Sequence, residues 1–255
     1  MADPGPVVPR LASAMTLLRD GVSGMLEVCM VRRHGKSAFM PSVYVFPGGA
    51  LIEQDRETEQ TAGYRAPLAA SSGLPLGEGF YAAAIRECFE EAGVLLARPT
   101  DGQSGWPREH RSRLDDQRRA LNEGRTHLSA VLAAEELIAS TDLMVHWSHW
   151  ITPEGFPRRF DTHFFLARLP ENQEIVHDPH ETTEGVWVTP GDALARFRQG
   201  VFPLVYATER QLSQLEECGT VPAAFTRFAG QAVRVNQPRI VTENGTDTIV
   251  LDHGE

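Results

Sequence analysis

Cysteine is scarce in this chain: Cys29, Cys88 and Cys218 are the three among 255 residues, odd in number and widely spaced. That argues against a disulfide framework and fits a reducing compartment, with Cys29 and Cys88 read as core residues. Long apolar runs are missing as well. Nothing approaches the roughly 20 residues needed to span a bilayer as a helix, and the opening residues lack a basic region followed by an apolar block. No basic run occurs, and the formal net charge is −10, which gives no electrostatic basis for holding a nucleic-acid polymer. The last residues, Asp252-His253-Gly254-Glu255, do not form a Ser-Lys-Leu targeting signal. The expectation is a cytoplasmic protein with no membrane and no nucleic-acid polymer as partner.

What is present is concentrated in Arg86-Glu87-Cys88-Phe89-Glu90-Glu91-Ala92-Gly93-Val94. In a helix the side chains at i, i+3 and i+4 share a face, so Glu87, Glu90 and Glu91 fall together while Tyr81, Ile85, Cys88 and Ala92 gather opposite. Three like charges so close weaken an isolated helix, and divalent cations on the acidic face would account for them. Oxygen-only ligands favour Mg2+ or Mn2+ over zinc. Upstream, the short apolar strand Tyr44-Val45-Phe46 runs into Pro47-Gly48-Gly49-Ala50, where absent side chains let backbone carbonyls approach a ligand.

Together these residues resemble the Nudix box: Gly, five residues, Glu, seven residues, then Arg-Glu-apolar-x-Glu-Glu-x-Gly-apolar. The second half fits at each defined position, with Cys88 and Val94 as the apolar residues. The first half departs twice. Five residues after Gly49 stands Asp55, a shorter acid, and about two dozen residues are inserted before Arg86. The extra segment, 56–79, is rich in Gly, Pro and Ser and reads as a surface loop, which can be long because closure entropy grows slowly with length. With Phe39-Met40-Pro41, Trp150-Ile151-Thr152-Pro153 and Arg159-Phe160-Asp161-Thr162-His163-Phe164-Phe165, the chain is similar to the Nudix branch with an interrupted box that includes peroxisomal coenzyme A diphosphatases.

The resemblance implies an α/β fold, a Nudix-type α/β/α sandwich with a mixed sheet, and a single elaborated domain over 11–255 after a flexible 1–10. It also implies a metal-dependent pyrophosphohydrolase of small-molecule diphosphates. Metal ligands would be Glu87, Glu90, Glu91 and the Gly48 carbonyl, while Arg86 points off the metal face and pairs with Asp55 to orient the acids. Many relatives recruit another carboxylate from a loop before a Trp-containing strand, which makes Glu181 the first choice and Glu184 the second. Both Glu90 and Glu181 qualify as general base. Coenzyme A or acyl-coenzyme A leads as substrate. ADP-ribose, a dinucleotide or a nucleotide sugar is the alternative, and a non-catalytic nucleotide-binding regulatory module is a different class.

The remaining pattern supplies strands over 11–19, 25–33, 43–46, 160–169 and 185–188, a helix over 80–92, and helices over 192–199 and 203–217. Two short strands are expected around Glu243-Asn244-Gly245. An alanine-rich helical insertion over 107–140 breaks at Asn122-Glu123-Gly124. It either shapes an acyl or nucleotide pocket or supports a homodimer, and the residues leave both open. Arg32, Arg33, Arg158 and Arg159 are candidate phosphate partners, with the substrate-binding set unassigned. His146-Trp147-Ser148-His149 has a metal-like spacing, but i and i+3 of a regular strand face opposite ways, which argues against zinc there.

Overall fold

Two strands buried on both faces build the centre of the molecule, β1 (Arg10–Asp20) with a continuous buried run over 12–18 and β2 (Leu26–Arg33), antiparallel to each other through Leu18↔Val28. The computed structural model describes residues 7–37, 39–61, 74, 77–101, 110–243 and 246–251. Next come β3 (Tyr44–Val45) and β4 (Gly48–Ala50). The Gly-Gly segment was expected as a loop. It is a short strand, antiparallel to β1 with Ala14↔Gly48 and Ser13↔Gly49, because only glycines let the two backbones close up here.

The box insertion begins as a helix, α1 (Glu53–Gln60), where the sequence suggested loop; residues 62–73, 75 and 76 lie outside the described residues. Then follow α2 (Phe80–Ala92), β5 (Ala97–Pro99), α3 (His110–Asn122), α4 (Leu128–Ala134) and β6 (Leu137–Ala139). The break between α3 and α4 falls at the expected Asn-Glu-Gly. The start of the expected insertion, 107–109, and residues 1–6, 244, 245 and 252–255 lie outside the described residues.

Strands β7 (Val145–Ile151), β8 (Phe160–Arg168) and β9 (Thr182–Val188) complete most of the sheet. Helices α5 (Pro190–Arg198), α6 (Tyr206–Glu216) and α7 (Val221–Phe228) follow, the last one unexpected. The chain closes with β10 (Val235–Asn236), β11 (Arg239–Glu243) and β12 (Thr246–Val250). The main sheet runs β10-β7-β8-β1-β2-β3, with β4 added to β1 and β9 to β2. It is mixed: β1 is parallel to β8 and β10 to β7, while the other pairs are antiparallel.

Two apolar layers sandwich this sheet. On one face Met15, Leu17 and Phe165 pack against Tyr81, Ile85 and Cys88 of α2. On the other Leu18, Met30 and Leu166 pack against Leu194, Leu212 and Ala224 of α5, α6 and α7. This is an α/β/α sandwich. No helix among the described residues is long and apolar enough to cross a membrane.

Candidate active site

Four alanines, three glutamates and Arg86 give 80–92 its helix propensity, and Gly93 ends it in the left-handed conformation at φ 72°, with its N–H on the Phe89 carbonyl. The helical insertion fastens that end: Arg118 of α3 donates to the Glu90 carbonyl through Nε at 3.1 Å and Nη2 at 2.8 Å, a cation at a helix C-terminus. With its core face fixed, α2 turns its acids toward β4.

Arg86 does more than the sequence suggested. It grips Asp55 with both Nε (2.8 Å) and Nη2 (2.9 Å), as expected, yet it does not point away from the acids. Its Nη1 donates to Glu87 at 2.8 Å and Glu90 at 2.6 Å, and Nη2 also reaches the Ala50 carbonyl. One guanidinium thus ties α1, β4 and the acidic face together. Asp55 is itself fixed by the Ile52 N–H at 2.9 Å.

Glu59, one turn after Asp55, was missed by the sequence reading. It is buried, and its two oxygens accept from the N–H groups of Gly77 (2.7 Å), Gly79 (3.0 Å) and Ala82 (2.9 Å). The Gly79 and Ala82 N–H groups are donors left open at the start of α2, where Gly79 has no side chain to cap them, and Gly77 leads into it. Helix α1 therefore holds α2 at its first turn and at its middle. Glu59→Ala is expected to cost about 1–3 kcal/mol, as buried donors lose their acceptor, and Glu59→Gln less; urea unfolding measures both, and an unchanged midpoint for Glu59→Ala would contradict this role.

Gly49 is required by the close approach of Glu87: a Cβ there would stand 2.4 Å from Glu87 Oε1. Glu91 accepts from the Gly48 N–H at 3.0 Å. Glu181 reaches the same place because its loop is anchored: Asp178 N–H bonds the Glu91 carbonyl, and His34 N–H bonds the Glu181 carbonyl. Burial pushes the Glu87 carboxyl up to about 7; Arg86 opposes the rise, and the charges of Glu90 and Glu181 add to it. Burial likewise raises Glu90 and, well above its ordinary value, Glu91, and the Glu181 charge contributes to both. Four mutually repelling carboxylates in one place, all oxygen donors, fit a divalent cation of the Mg2+ or Mn2+ type.

These shifts carry a sign. Between about pH 4.5 and 7 the folded Glu87 retains a proton that an unfolded glutamate has released, so its contribution to stability falls as pH rises through that window. In metal-free buffer, the stability of Glu87→Gln relative to wild type should increase from about pH 5 to about pH 8. Saturating Mg2+ should remove that increase. A difference flat with pH in chemical denaturation would count against the buried acidic cluster.

Glu87, Glu90, Glu91 and Glu181 line a cavity of about 770 Å³ that also opens onto Gly48, Gly49 and Arg33. Its wall is otherwise largely apolar, including Phe39, Phe46, Phe160, Phe164, Leu204 and Ile249. Glu184 goes elsewhere: it accepts from the Tyr44 hydroxyl. The four arginines also part company. Arg159 is buried and bonds the Thr152 and Val7 carbonyls, Arg32 bonds the Ser42 carbonyl, and Arg158 is exposed away from the cavity. Arg33 faces the cavity with a buried Nε that has no partner among the described residues.

A second correction concerns the histidines of β7. A bulge between His146 and Ser148 shifts the register, so His146 lies opposite Phe165 and His149 opposite His163, on one face and not two. Burial first, and neighbouring imidazoles second, push His146 down to about 4 and His163 to about 3.

A mixed sheet between helices, with a glycine strand and an Arg-Glu-x-x-Glu-Glu helix meeting at one cavity, is the architecture of Nudix proteins. The chain belongs to the Nudix family: the family model described as the NUDT19 Nudix domain matches residues 11–210. It is 30% identical over 212 residues to the acyl-coenzyme A diphosphatase NUDT19 of Gallus gallus, covering 68% of this chain and 56% of that one. It is also 30% identical over 202 residues to putative nudix hydrolase 7 of Caenorhabditis elegans, covering 75% and 57%. The chain thus spans a little over half the length of these relatives. The crystal structure of a NUDIX hydrolase from Alicyclobacillus acidocaldarius superposes with a TM-score of 0.75 at 29% identity, covering 88% of this chain and 98% of that one.

Proposed function

We propose that this protein hydrolyses a diphosphate bond in a nucleoside diphosphate joined to another group, using Mg2+ or Mn2+, with coenzyme A or acyl-coenzyme A as the favoured substrate. The observation that carries this reading is the meeting of four carboxylates with a cavity of about 770 Å³ and mostly apolar wall. One end suits cation-bound phosphates and the other a pantetheine or acyl chain. The name of the Gallus gallus relative supports the same substrate class.

Glu87, Glu90, Glu91 and the Gly48 carbonyl would hold the cations. Bound there, they would neutralise the phosphate oxygens that otherwise repel a nucleophile. Among the described residues Glu181 has no side-chain hydrogen bond, whereas Arg86 occupies Glu90. Glu181 is therefore the favoured base: it takes a proton from the attacking water as the new P–O bond forms and the bridging P–O bond breaks. Arg33 lines the cavity, and its Nε–H, without a partner among the described residues, is available to a phosphate. Arg33→Ala should raise KM by roughly 10- to 100-fold, the scale of one charged hydrogen bond, with a smaller change in kcat; an unchanged KM would remove Arg33 from the substrate site.

The test is incubation of the purified chain with Mg2+ or Mn2+ and coenzyme A, acyl-coenzyme A, ADP-ribose, NADH or a nucleotide sugar, with products identified by mass. Coenzyme A should yield a phosphopantetheine product and adenosine 3′,5′-bisphosphate. Cleavage of another compound alone would keep the chemistry and move the substrate. Nucleotide binding with no turnover of any of them would favour the regulatory module.

A further inference from the structure

We propose a second metal site, for a first-row transition ion such as Zn2+, formed by His149, Asp161 and His163 on the face of the sheet that packs against α2. None of the three lines the carboxylate cavity, although their strand neighbours Ser13 and Ile151 do; Thr162 and Phe164 of β8 face that cavity, and alternation turns Asp161 and His163 the other way. The inference does not rest on the proposed hydrolase activity.

The geometry is a cross-strand one. His149 and His163 stand directly opposite each other, their rings 3.9 Å apart between centroids, and Asp161 is two residues along β8. One donor atom from each of the three falls within 4.8 Å of the others, the one such group of His, Cys, Asp and Glu side chains among the described residues. His149 Nε2 already contacts Asp161 Oδ1. Two imidazoles and one carboxylate are a donor set for Zn2+ or Co2+, with a coordination position left for water.

The surroundings suit such a site. His163 Nδ1 lies 3.0 Å from His146 Nε2, and a His163 that donates its Nδ1 proton presents a bare Nε2 for coordination. The bulge in β7 leaves His146 and His149 on this same face. The ring of Phe80, the first residue of α2, packs against His163 with centroids 4.2 Å apart. Ser13, the neighbour of His163 on β1, has a wholly buried hydroxyl with no partner among the described residues. His149 and Asp161 keep partial exposure, which gives an ion a way in. An ion here would staple β7 to β8 beneath the start of the acidic helix.

The test uses the whole chain, stripped with chelator and held in excess Mg2+ so that oxygen-ligand sites are filled, then titrated with Co2+ and with Zn2+. Expected are visible Co2+ ligand-field bands saturating at about one equivalent and a melting temperature raised by roughly 5 °C at a hundredfold excess of Zn2+ over Kd. Both should be lost in His163→Gln and in Asp161→Asn. X-ray absorption on the Zn2+-loaded wild type should show two imidazoles in the coordination shell, a readout independent of how the variants fold. No bands in the wild type, bands undiminished in both variants, or a shell of oxygens alone would overturn the proposal.

Discussion

Glu91→Gln is expected to lower kcat by at least roughly 100-fold, the scale seen when a group that holds a catalytic metal or stabilises developing charge is removed. The substitution is nearly isosteric. A glutamine oxygen can still accept from the Gly48 N–H that Glu91 binds at 3.0 Å, so β4 and α2 stay joined. What disappears is a buried negative charge. Burial and the neighbouring Glu87 disfavour that charge in the metal-free protein, so the variant should fold at least as stably as wild type without divalent ions. The pairing of lost turnover with retained stability separates a chemical role from a structural one. Near-normal turnover in steady-state assays would remove Glu91 from the site.

Arg86→Ala should destabilise the protein by about 3–5 kcal/mol, the cost of stranding buried charges by deleting one partner. The Arg86 side chain is 7% exposed and Asp55 1%, and the same guanidinium also faces Glu87 and Glu90. Arg86→Lys cannot reproduce the two-pronged grip on Asp55 and should fall between wild type and alanine. Because each single change strands the other partner of one buried contact, Arg86→Ala combined with Asp55→Asn should cost less than the sum of the two. Denaturant melts of the four proteins measure this; strict additivity would mean that the contact contributes nothing.

The acidic helix was legible because its signals are local: Glu87, Glu90 and Glu91 sit at helical spacing before Gly93, and the opposite face is apolar. Helix α1 was not, since its buried residues are Asp55, Thr58 and Glu59, and hydrophobic periodicity cannot see a helix whose inward face is polar. The insertion consequently reads as loop, and Glu59 within it carries no signal of its own. The face of His149 was misread for a different reason. A bulge adds one residue to a strand and inverts the alternation beyond it, and nothing in His146-Trp147-Ser148-His149 announces it. The apolar wall of the cavity was hidden too, because Phe39, Phe160, Leu204 and Ile249 come together only through the tertiary fold. Glu181 had a positional hint, a loop before the Trp187 strand, and the structure places it on the cavity while Glu184 turns to Tyr44.

The most direct test of the account is anomalous diffraction from crystals of the wild-type chain grown with Mn2+. An ion coordinated by carboxylate oxygens of Glu87, Glu90 and Glu91 is expected, with Arg86 still bound to Asp55. Saturating Mn2+ with no anomalous peak at those glutamates would contradict it.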